Sequence, residues 1–319
     1  MFLDTSINMA MQPFKMLVGD MVNEEQKAKA YSIQSFLCNA GSVVGFLFPF
    51  IFTWIGISNV AQKGVVPDSV IWSFYVGAAI LILCVLYTTL KVKEWNPQEY
   101  AEYNGVSGTN KQDDEGSANW ITLLRKAPST FWKVGLVQFF CWAAFLYMWN
   151  YTTGAIAETV WNTTDPASED FQAAGNWVGV LFAVQAIGSV VWATVLPQFK
   201  NTKLAYAVSL IIGGIGFALV PFIHDAYLQF IPFILIGCAW AAMLAMPFTF
   251  VTNALQGYGH MGAYLGLFNG TICIPQIIAA LCGGLVLTLV GSHQSTMMIV
   301  AGVLLVIGAA CVTVIREKR

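Results

Sequence analysis

Charged and amide side chains recur along the first apolar stretch of the chain, where they could bind an ion or a polar ligand. On a helix over residues 2–22, four of them fall within an arc of roughly 80°: Asp4, Asn8, Gln12 and Lys15. Asp20 points almost the opposite way. Ionisable groups at membrane depth usually face a protein interior or a water-filled cavity, because lipid solvates them poorly. We therefore expect this polar stripe to line a functional cavity.

The composition explains why the stripe is surrounded by apolar sequence. Of the 319 residues, 57% are hydrophobic and 10% are charged, which is typical of an integral membrane protein. Nine apolar runs are long enough to cross a hydrocarbon core of about 30 Å: 2–22, 31–56, 70–92, 132–158, 175–197, 204–223, 228–252, 262–290 and 296–315. The predicted fold class is therefore all-α integral membrane, and a net charge of −2 gives no reason to expect a nucleic-acid partner.

One long polar segment, residues 93–131, divides these runs into three followed by six. We interpret it as a linker between two helical bundles, with short surface helices over Pro97–Tyr103 and Asn119–Lys126. The predicted domains are a partial N-terminal bundle over residues 1–92, this linker, and a C-terminal six-helix bundle over residues 132–319.

Lysine and arginine concentrate in alternate loops, in the linker and after residue 315. By the positive-inside rule, the linker and the C-terminus lie in the cytoplasm and Met1 lies outside. We expect a multi-pass protein of the cell membrane.

The sequence lacks the usual signs of an enzyme, because it contains no nucleophile–base pair, metal-ligand cluster or phosphate-binding loop. All seven cysteines lie in apolar runs without CxxC spacing, and we interpret them as small buried hydrophobic residues. We expect no enzymatic activity, no metal and no cofactor beyond a coupling ion.

A short internal repeat relates the first and seventh runs. Pro13 precedes Ala30-Tyr31 at the start of the second run, and Pro247 precedes Ala263-Tyr264 at the start of the eighth. Parallel repeats of six spans are typical of two-bundle transporters. If the seventh run is the fourth span of its bundle, the first run is the fourth span of the other. The repeat thus predicts twelve helices, of which the first three are absent from this chain.

Several motifs carry a resemblance to a known family. They are Asp4-x-x-x-Asn8-x-x-x-Gln12-Pro13-x-Lys15 with Asp20, Gln138-Phe139-Phe140-x-Trp142 with Met148-Trp149-x-Tyr151, Gly237-Cys238-Ala239-Trp240-Ala241 with Pro247, and Gly262-x-Tyr264-x-Gly266-x-Phe268-Asn269 with Pro275-Gln276. In these motifs the chain resembles the major facilitator superfamily and, within it, the sucrose and maltose proton symporters. Lys15 stands where that branch has arginine, which keeps the charge but loses the planar guanidinium.

The resemblance implies proton-coupled sugar transport by alternating access, with Asp4 in the role of the coupling acid. A carboxyl in a poorly hydrated cavity suits this role, because burial penalises its charged form and helps it to hold a proton. Exposure of Asp4 at a helix end remains an alternative. Asn8, Gln12, Lys15 and Asp20 belong to the same motif and its gate, although Lys15 could also anchor the helix end and Asp20 could be a solvated cap.

Sugars are bound by amides and by aromatic faces, so helix faces that carry both are candidate sites. One such face holds Gln138, Trp142, Phe145 and Trp149, and another holds Asn269 and Gln276. Asn39 and, through the resemblance, Trp240 complete the predicted set. Tryptophans at helical spacing can equally be packing residues, and amides inside a membrane can join helices.

Three functional readings follow from the sequence. The first is a proton symporter for a disaccharide such as sucrose or maltose, acting as a monomer in the lipid bilayer. A sodium-coupled glycoside symporter is the second. A receptor or scaffold derived from a truncated transporter is the third.

Overall fold

The computed structural model describes residues 24–59, 65–92, 120–255 and 261–315, and it describes their side chains except at residues 24–32, 35, 36, 39, 261 and 262. The predicted span over residues 2–22 and most of the predicted linker lie outside this part of the chain. The five candidate residues of that span lie there too: Asp4, Asn8, Gln12, Lys15 and Asp20.

The described residues form ten α-helices and no strand, so the predicted all-α fold class is confirmed. In chain order the helices are α1 (Glu24–Trp54), α2 (Asp68–Lys91), α3 (Trp120–Lys126), α4 (Ser129–Val160), α5 (Glu169–Val195), α6 (Thr202–Leu219), α7 (Phe230–Leu255), α8 (Met261–Phe268), α9 (Gly270–Leu289) and α10 (Gln294–Val312). Short 3₁₀ turns follow α5 and α6.

Seven helical segments in the described chain are long and apolar enough to cross a membrane. They are Asp68–Lys91, Ser129–Val160, Glu169–Gln198, Thr202–Phe222, Phe230–Leu255, Ala263–Leu289 and Gln294–Val312. These segments coincide with the predicted spans from residues 70–92 onward. The predicted span 31–56 coincides with α1, whose apolar part, Ala40–Trp54, is shorter than the others.

The predicted span 262–290 consists of two helices, α8 and α9, that meet at Asn269. The Asn269 N–H donates to Leu265 O at 3.1 Å, and Cys273 N–H donates to Asn269 O at 3.2 Å. Backbone hydrogen bonding therefore continues through the junction. Pro275 cannot donate a hydrogen bond one turn later, because proline has no N–H.

The described chain belongs to two compact units. Residues 24–41 and 74–92 lie in the first unit. The second unit holds residues 42–59, 65–73, 120–255 and 261–315, including α3 to α10. These units are defined by contacts between residues, whereas the predicted domains are defined by membrane spans and a linker. The predicted domain division therefore stays a prediction.

Close packing in the second unit depends on glycines where helices approach each other. A Cβ at Gly188 of α5 would lie 2.9 Å from Ile234 O of α7, and one at Gly237 of α7 would lie 2.8 Å from Ser189 N of α5. A Cβ at Gly302 of α10 would lie 2.7 Å from Gly214 O of α6. Small residues let apolar helices approach to backbone contact, so these glycines determine which helices of the unit pack closely.

The prediction that all seven cysteines are buried is wrong for most of them. Cys141 and Cys238 are buried, but four others are exposed on the helix surfaces: Cys38, Cys84, Cys273 and Cys282. An apolar run predicts that a helix lies in the membrane and leaves open which of its faces meets other protein.

Candidate functional site

A cluster of four aromatic rings lies inside the second unit. Trp142, Phe145 and Trp149 come from α4, and Trp240 comes from α7. The Trp240 ring centroid lies 5.0 Å from that of Phe145, 5.8 Å from that of Trp149 and 5.9 Å from that of Trp142. These are ordinary distances for interacting aromatic pairs. We call these four residues the tryptophan cluster.

Helix geometry and one close helix contact explain the cluster. Positions 142, 145 and 149 are three and four residues apart, so α4 presents them on one face. Gly237 precedes Trp240 by less than one turn and brings α7 against α5, as described above. The approach of α7 to α5 thereby fixes where the Trp240 ring meets α4.

Gln138 lies one turn before Trp142 on α4 and is completely buried. Neither its Nε2 nor its Oε1 has a hydrogen-bond partner among the described residues, and the same is true of Trp142 Nε1. A buried polar group without a partner costs about 1–3 kcal/mol. Two neighbouring side chains of this kind need an explanation, because most buried polar groups in proteins are paired.

The burial of the tryptophan cluster is uneven. Phe145 is completely buried and Trp142 is 8% exposed, whereas Trp149 is 40% exposed. Trp240 is partly buried. The cluster is therefore buried at Trp142, whose N–H has no described partner, and exposed at Trp149.

The other predicted amides make no described hydrogen bond to this cluster. Asn269, just before α9, and Gln276, in its second turn, are partly buried, and among the described residues the Asn269 side chain donates to Cys273 Sγ at 4.0 Å. No hydrogen bond in the described chain joins either amide to Gln138 or to the tryptophan cluster. Asn39 lies in α1, and its side chain is outside the described part of the chain.

The structure thus brings together four of the predicted substrate residues, namely Gln138, Trp142, Trp149 and Trp240. Gln185 of α5 is a further buried amide of this unit, since it is only 6% exposed, and its backbone carbonyl oxygen lies where α7 approaches at Gly237. The signal for Gln185 in the sequence was an isolated amide in an apolar run.

A second group of polar residues lies at the end of the second unit where α4 ends and α10 begins. The Glu158 carboxylate accepts from Gln294 N–H and from Ser295 N–H, each at 2.9 Å. It therefore caps the N-terminus of α10, where His293 offers no side-chain cap of its own. No local pattern predicts this role, since Glu158 and Gln294 are 136 positions apart in the chain.

Three further polar groups at that end are paired. His224 Nδ1 lies 2.9 Å from Thr159 O, and Trp177 Nε1 donates to Ala226 O at 3.0 Å. Gln229 is completely buried, and its Nε2 donates to Val220 O at 3.0 Å and to Ile223 O at 2.6 Å, although its Oε1 has no partner among the described residues. We call Glu158, Trp177, His224 and Gln229 the capped end.

Comparison with known proteins gave one family. The sequence model of the Major Facilitator Superfamily matches residues 7–280, which is well over half of the chain. No curated protein matches the chain. The matched range contains Gln138 and the whole tryptophan cluster. With its apolar helices and this match, the chain is a multi-pass membrane transporter that belongs to the Major Facilitator Superfamily.

Proposed function

We propose that this chain transports a neutral sugar, a disaccharide such as sucrose or maltose, in symport with protons. The observation that carries the proposal is the pair Gln138 and Trp142, whose buried side-chain polar atoms have no partner in the described chain. Trp142 belongs to the tryptophan cluster, and Gln138 lies one helical turn before it.

The chemistry of this region matches that of a sugar. A pyranose ring has apolar C–H surfaces that pack on aromatic rings, and hydroxyl groups that both donate and accept hydrogen bonds. The Gln138 amide can donate and accept, while the Trp142 indole can only donate. A hydroxyl group bound between them would satisfy polar atoms whose burial is otherwise unfavourable.

The proposal requires a second conformation of the protein. Gln138 is completely buried and Trp142 nearly so, and a sugar reaches them only after the surrounding helices move. Alternating access supplies such a movement, since the site must open to one side of the membrane and then to the other. Trp149, the exposed member of the cluster, is where we expect a sugar to make its first contact.

Proton coupling rests on Asp4, which lies outside the described residues, and on the resemblance of its motif to proton symporters. In this proposal Asp4 takes up a proton on one side and releases it on the other as the site changes its access. Asp4→Asn, which cannot exchange a proton, should abolish accumulation driven by a pH gradient and leave sugar binding intact.

Uptake of labelled sucrose and maltose into vesicles reconstituted with the full chain tests this function. We expect uptake to rise when an inward pH gradient is imposed and to be indifferent to a sodium gradient. Uptake driven by sodium alone would contradict proton coupling. Absence of both sugar uptake and sugar binding would contradict the sugar proposal, while leaving membership of the transporter family untouched.

A matched pair of buried glutamines tests the site itself. Gln138→Leu removes an amide that makes no hydrogen bond in the described chain, so we expect folded protein that has lost at least ten-fold in sugar affinity, the equivalent of one or two hydrogen bonds. Gln229→Leu removes an equally buried amide at the capped end. Per folded molecule, this control should bind sugar as the unsubstituted protein does.

A further inference from the structure

The charges of the second unit are divided between its two ends. From residue 120 to 255 and from 261 to 315, the acidic residues are Glu158, Asp165, Glu169, Asp170 and Asp225. All of them lie on or beside the segments that meet at the capped end. The lysines and arginines of the same residues lie where α4 and α6 begin and α5 ends: Arg125, Lys126, Lys133, Lys200 and Lys203. This opposite end, which we call the basic end, carries no described acid.

The short helix α3 lies at the basic end, directly before the membrane-spanning α4. It packs against α8 and buries Leu123, which is 7% exposed. Arg125 and Lys126 in its last turn are exposed, and neither forms an ion pair within the described residues. The inner face of α3 is therefore held by protein while its cationic face is turned outward.

Exposed tryptophans precede and follow these two cations in the sequence. Trp120 at the start of α3 is 61% exposed, and Trp132 in the first turn of α4 is 53% exposed. Tryptophan concentrates at the membrane–water interface, where its ring meets both apolar chains and polar headgroups. Lys133 adds a third cation beside Trp132. Interfacial rings together with cations that have no acidic partner among the described residues indicate contact with the surface of the bilayer.

We propose that α3 and the start of α4 form a binding surface for anionic lipid headgroups, with Arg125 and Lys126 as its principal contacts and Trp120 and Trp132 as its anchors. Charge complementarity selects this occupant, because cations close to a membrane surface attract anionic lipids and zwitterionic lipids satisfy them less well. The surface is separate from the sugar site and does not depend on it.

Thermal unfolding of the full chain in micelles tests the proposal. Phosphatidylglycerol is titrated against a constant excess of phosphatidylcholine, and the shift in unfolding midpoint reports binding to the native protein. We expect the anionic lipid to raise the midpoint, and we expect Arg125→Gln with Lys126→Gln to raise its half-saturating mole fraction roughly ten- to thirty-fold. Trp120→Ser, a milder surface change, should weaken the response less.

The control is Lys200→Gln with Lys203→Gln, which removes the same charge from the same end of the unit but not from α3. An equal loss in this control would show a general charge effect and overturn the proposal. So would an unchanged response in the Arg125 and Lys126 variant. Glycerol phosphate in place of the lipid should produce no shift, and an equal shift would identify free phosphate as the ligand.

One competitor lies within the chain itself, in the acidic sequence Asp113-Asp114-Glu115. If this sequence occupies Arg125 and Lys126, the unsubstituted protein will respond to phosphatidylglycerol only after all three acids are neutralised. That result would assign the surface to the linker and overturn the lipid proposal. A response in the unsubstituted protein that neutralisation leaves unchanged supports it.

Discussion

The capped end and the tryptophan cluster treat buried polar groups in opposite ways. At the capped end the Glu158 carboxylate accepts hydrogen bonds from two backbone N–H groups of α10, and the amide nitrogen of Gln229 donates to two backbone carbonyls. At the tryptophan cluster, the Trp142 indole and the neighbouring Gln138 amide form no hydrogen bond in the described chain. Both regions belong to one unit and share α4.

Buried polar residues at the capped end therefore stabilise the fold, whereas those at the tryptophan cluster lower its stability. A paired buried amide contributes about 1 kcal/mol, whereas an unpaired one costs about 1–3 kcal/mol. Leucine at position 138 would avoid that cost. The presence of glutamine there is explained if its partner is a transported ligand. The first prediction below tests the stabilising role of the capped end, and the other two compare matched substitutions in the two regions.

The largest effect is expected at Glu158. Glu158→Ala leaves two N–H groups of α10 without an acceptor and removes a negative charge from the positive end of that helix. We expect the free energy of unfolding to fall by about 2–3 kcal/mol, because both lost hydrogen bonds are charge-assisted and the site is partly exposed. Thermal unfolding of the purified protein measures this loss.

Two variants calibrate the Glu158 result. Glu158→Gln keeps one acceptor oxygen and should lose about half as much stability. Glu169→Ala removes an exposed acid from the first turn of α5, and we expect a change within about 0.5 kcal/mol. If Glu158→Ala were as mild as Glu169→Ala, the capped end would not be the stabilising region that its hydrogen bonds indicate.

The second effect compares the two completely buried glutamines. Gln229→Leu leaves Val220 O and Ile223 O without the amide donor, and we expect it to cost about 1–2 kcal/mol in the free energy of unfolding. Gln138→Leu breaks no described hydrogen bond and removes two unpaired polar atoms. We expect its stability to be equal to that of the unsubstituted protein or up to about 1 kcal/mol higher.

Both variants replace the same residue type at the same degree of burial, so their difference isolates hydrogen bonding. Unfolding of the two proteins side by side, in the absence of sugar, provides the measurement. A Gln138→Leu protein destabilised as much as Gln229→Leu would mean that Gln138 has a structural partner after all. The comparison between the two regions would then fail at its central residue.

The sequence alone contained much of the fold and part of the site. Apolar runs located the helices because the length of a membrane span is set by the bilayer. The spacing of Gln138, Trp142 and Trp149 placed them on one face of α4, since helical periodicity is local. That Trp240 of α7 meets this face follows from the packing of α7 against α5, which no local pattern encodes. The resemblance gave Trp240 only as a candidate substrate residue.

Pairing of polar groups could not be predicted. Whether a glutamine in an apolar helix is paired depends on which backbone atoms of other helices come within about 3 Å of it. Gln229 lies near the carbonyls that precede α7, whereas Gln138 lies near none in the described chain. The sequence pattern placed Gln138 on a face with tryptophans, but no pattern around either glutamine shows whether its amide is paired. The capping role of Glu158 could not be predicted either, because its partners are remote in the chain.

The smallest effect concerns the two indole groups. Trp177 Nε1 donates to Ala226 O at the capped end, and Trp142 Nε1 has no described partner. Phenylalanine at either position removes the N–H and some volume. Each variant is compared with itself, with and without saturating sugar, so that the stability lost to the smaller ring cancels. A ligand that binds only the native protein raises its unfolding midpoint in proportion to its affinity.

We expect Trp177→Phe to gain as much stability from sugar as the unsubstituted protein gains, although its midpoint without sugar is lower. Trp142→Phe should bind sugar roughly five- to ten-fold more weakly, the equivalent of one neutral hydrogen bond, and should gain correspondingly less. If both variants gain the same stability from sugar, the Trp142 indole does not bind sugar, and Gln138 is the one remaining candidate among the two described donors. If only Trp142→Phe gains less stability from sugar, the Trp142 N–H, which has no described partner, donates a hydrogen bond to the substrate.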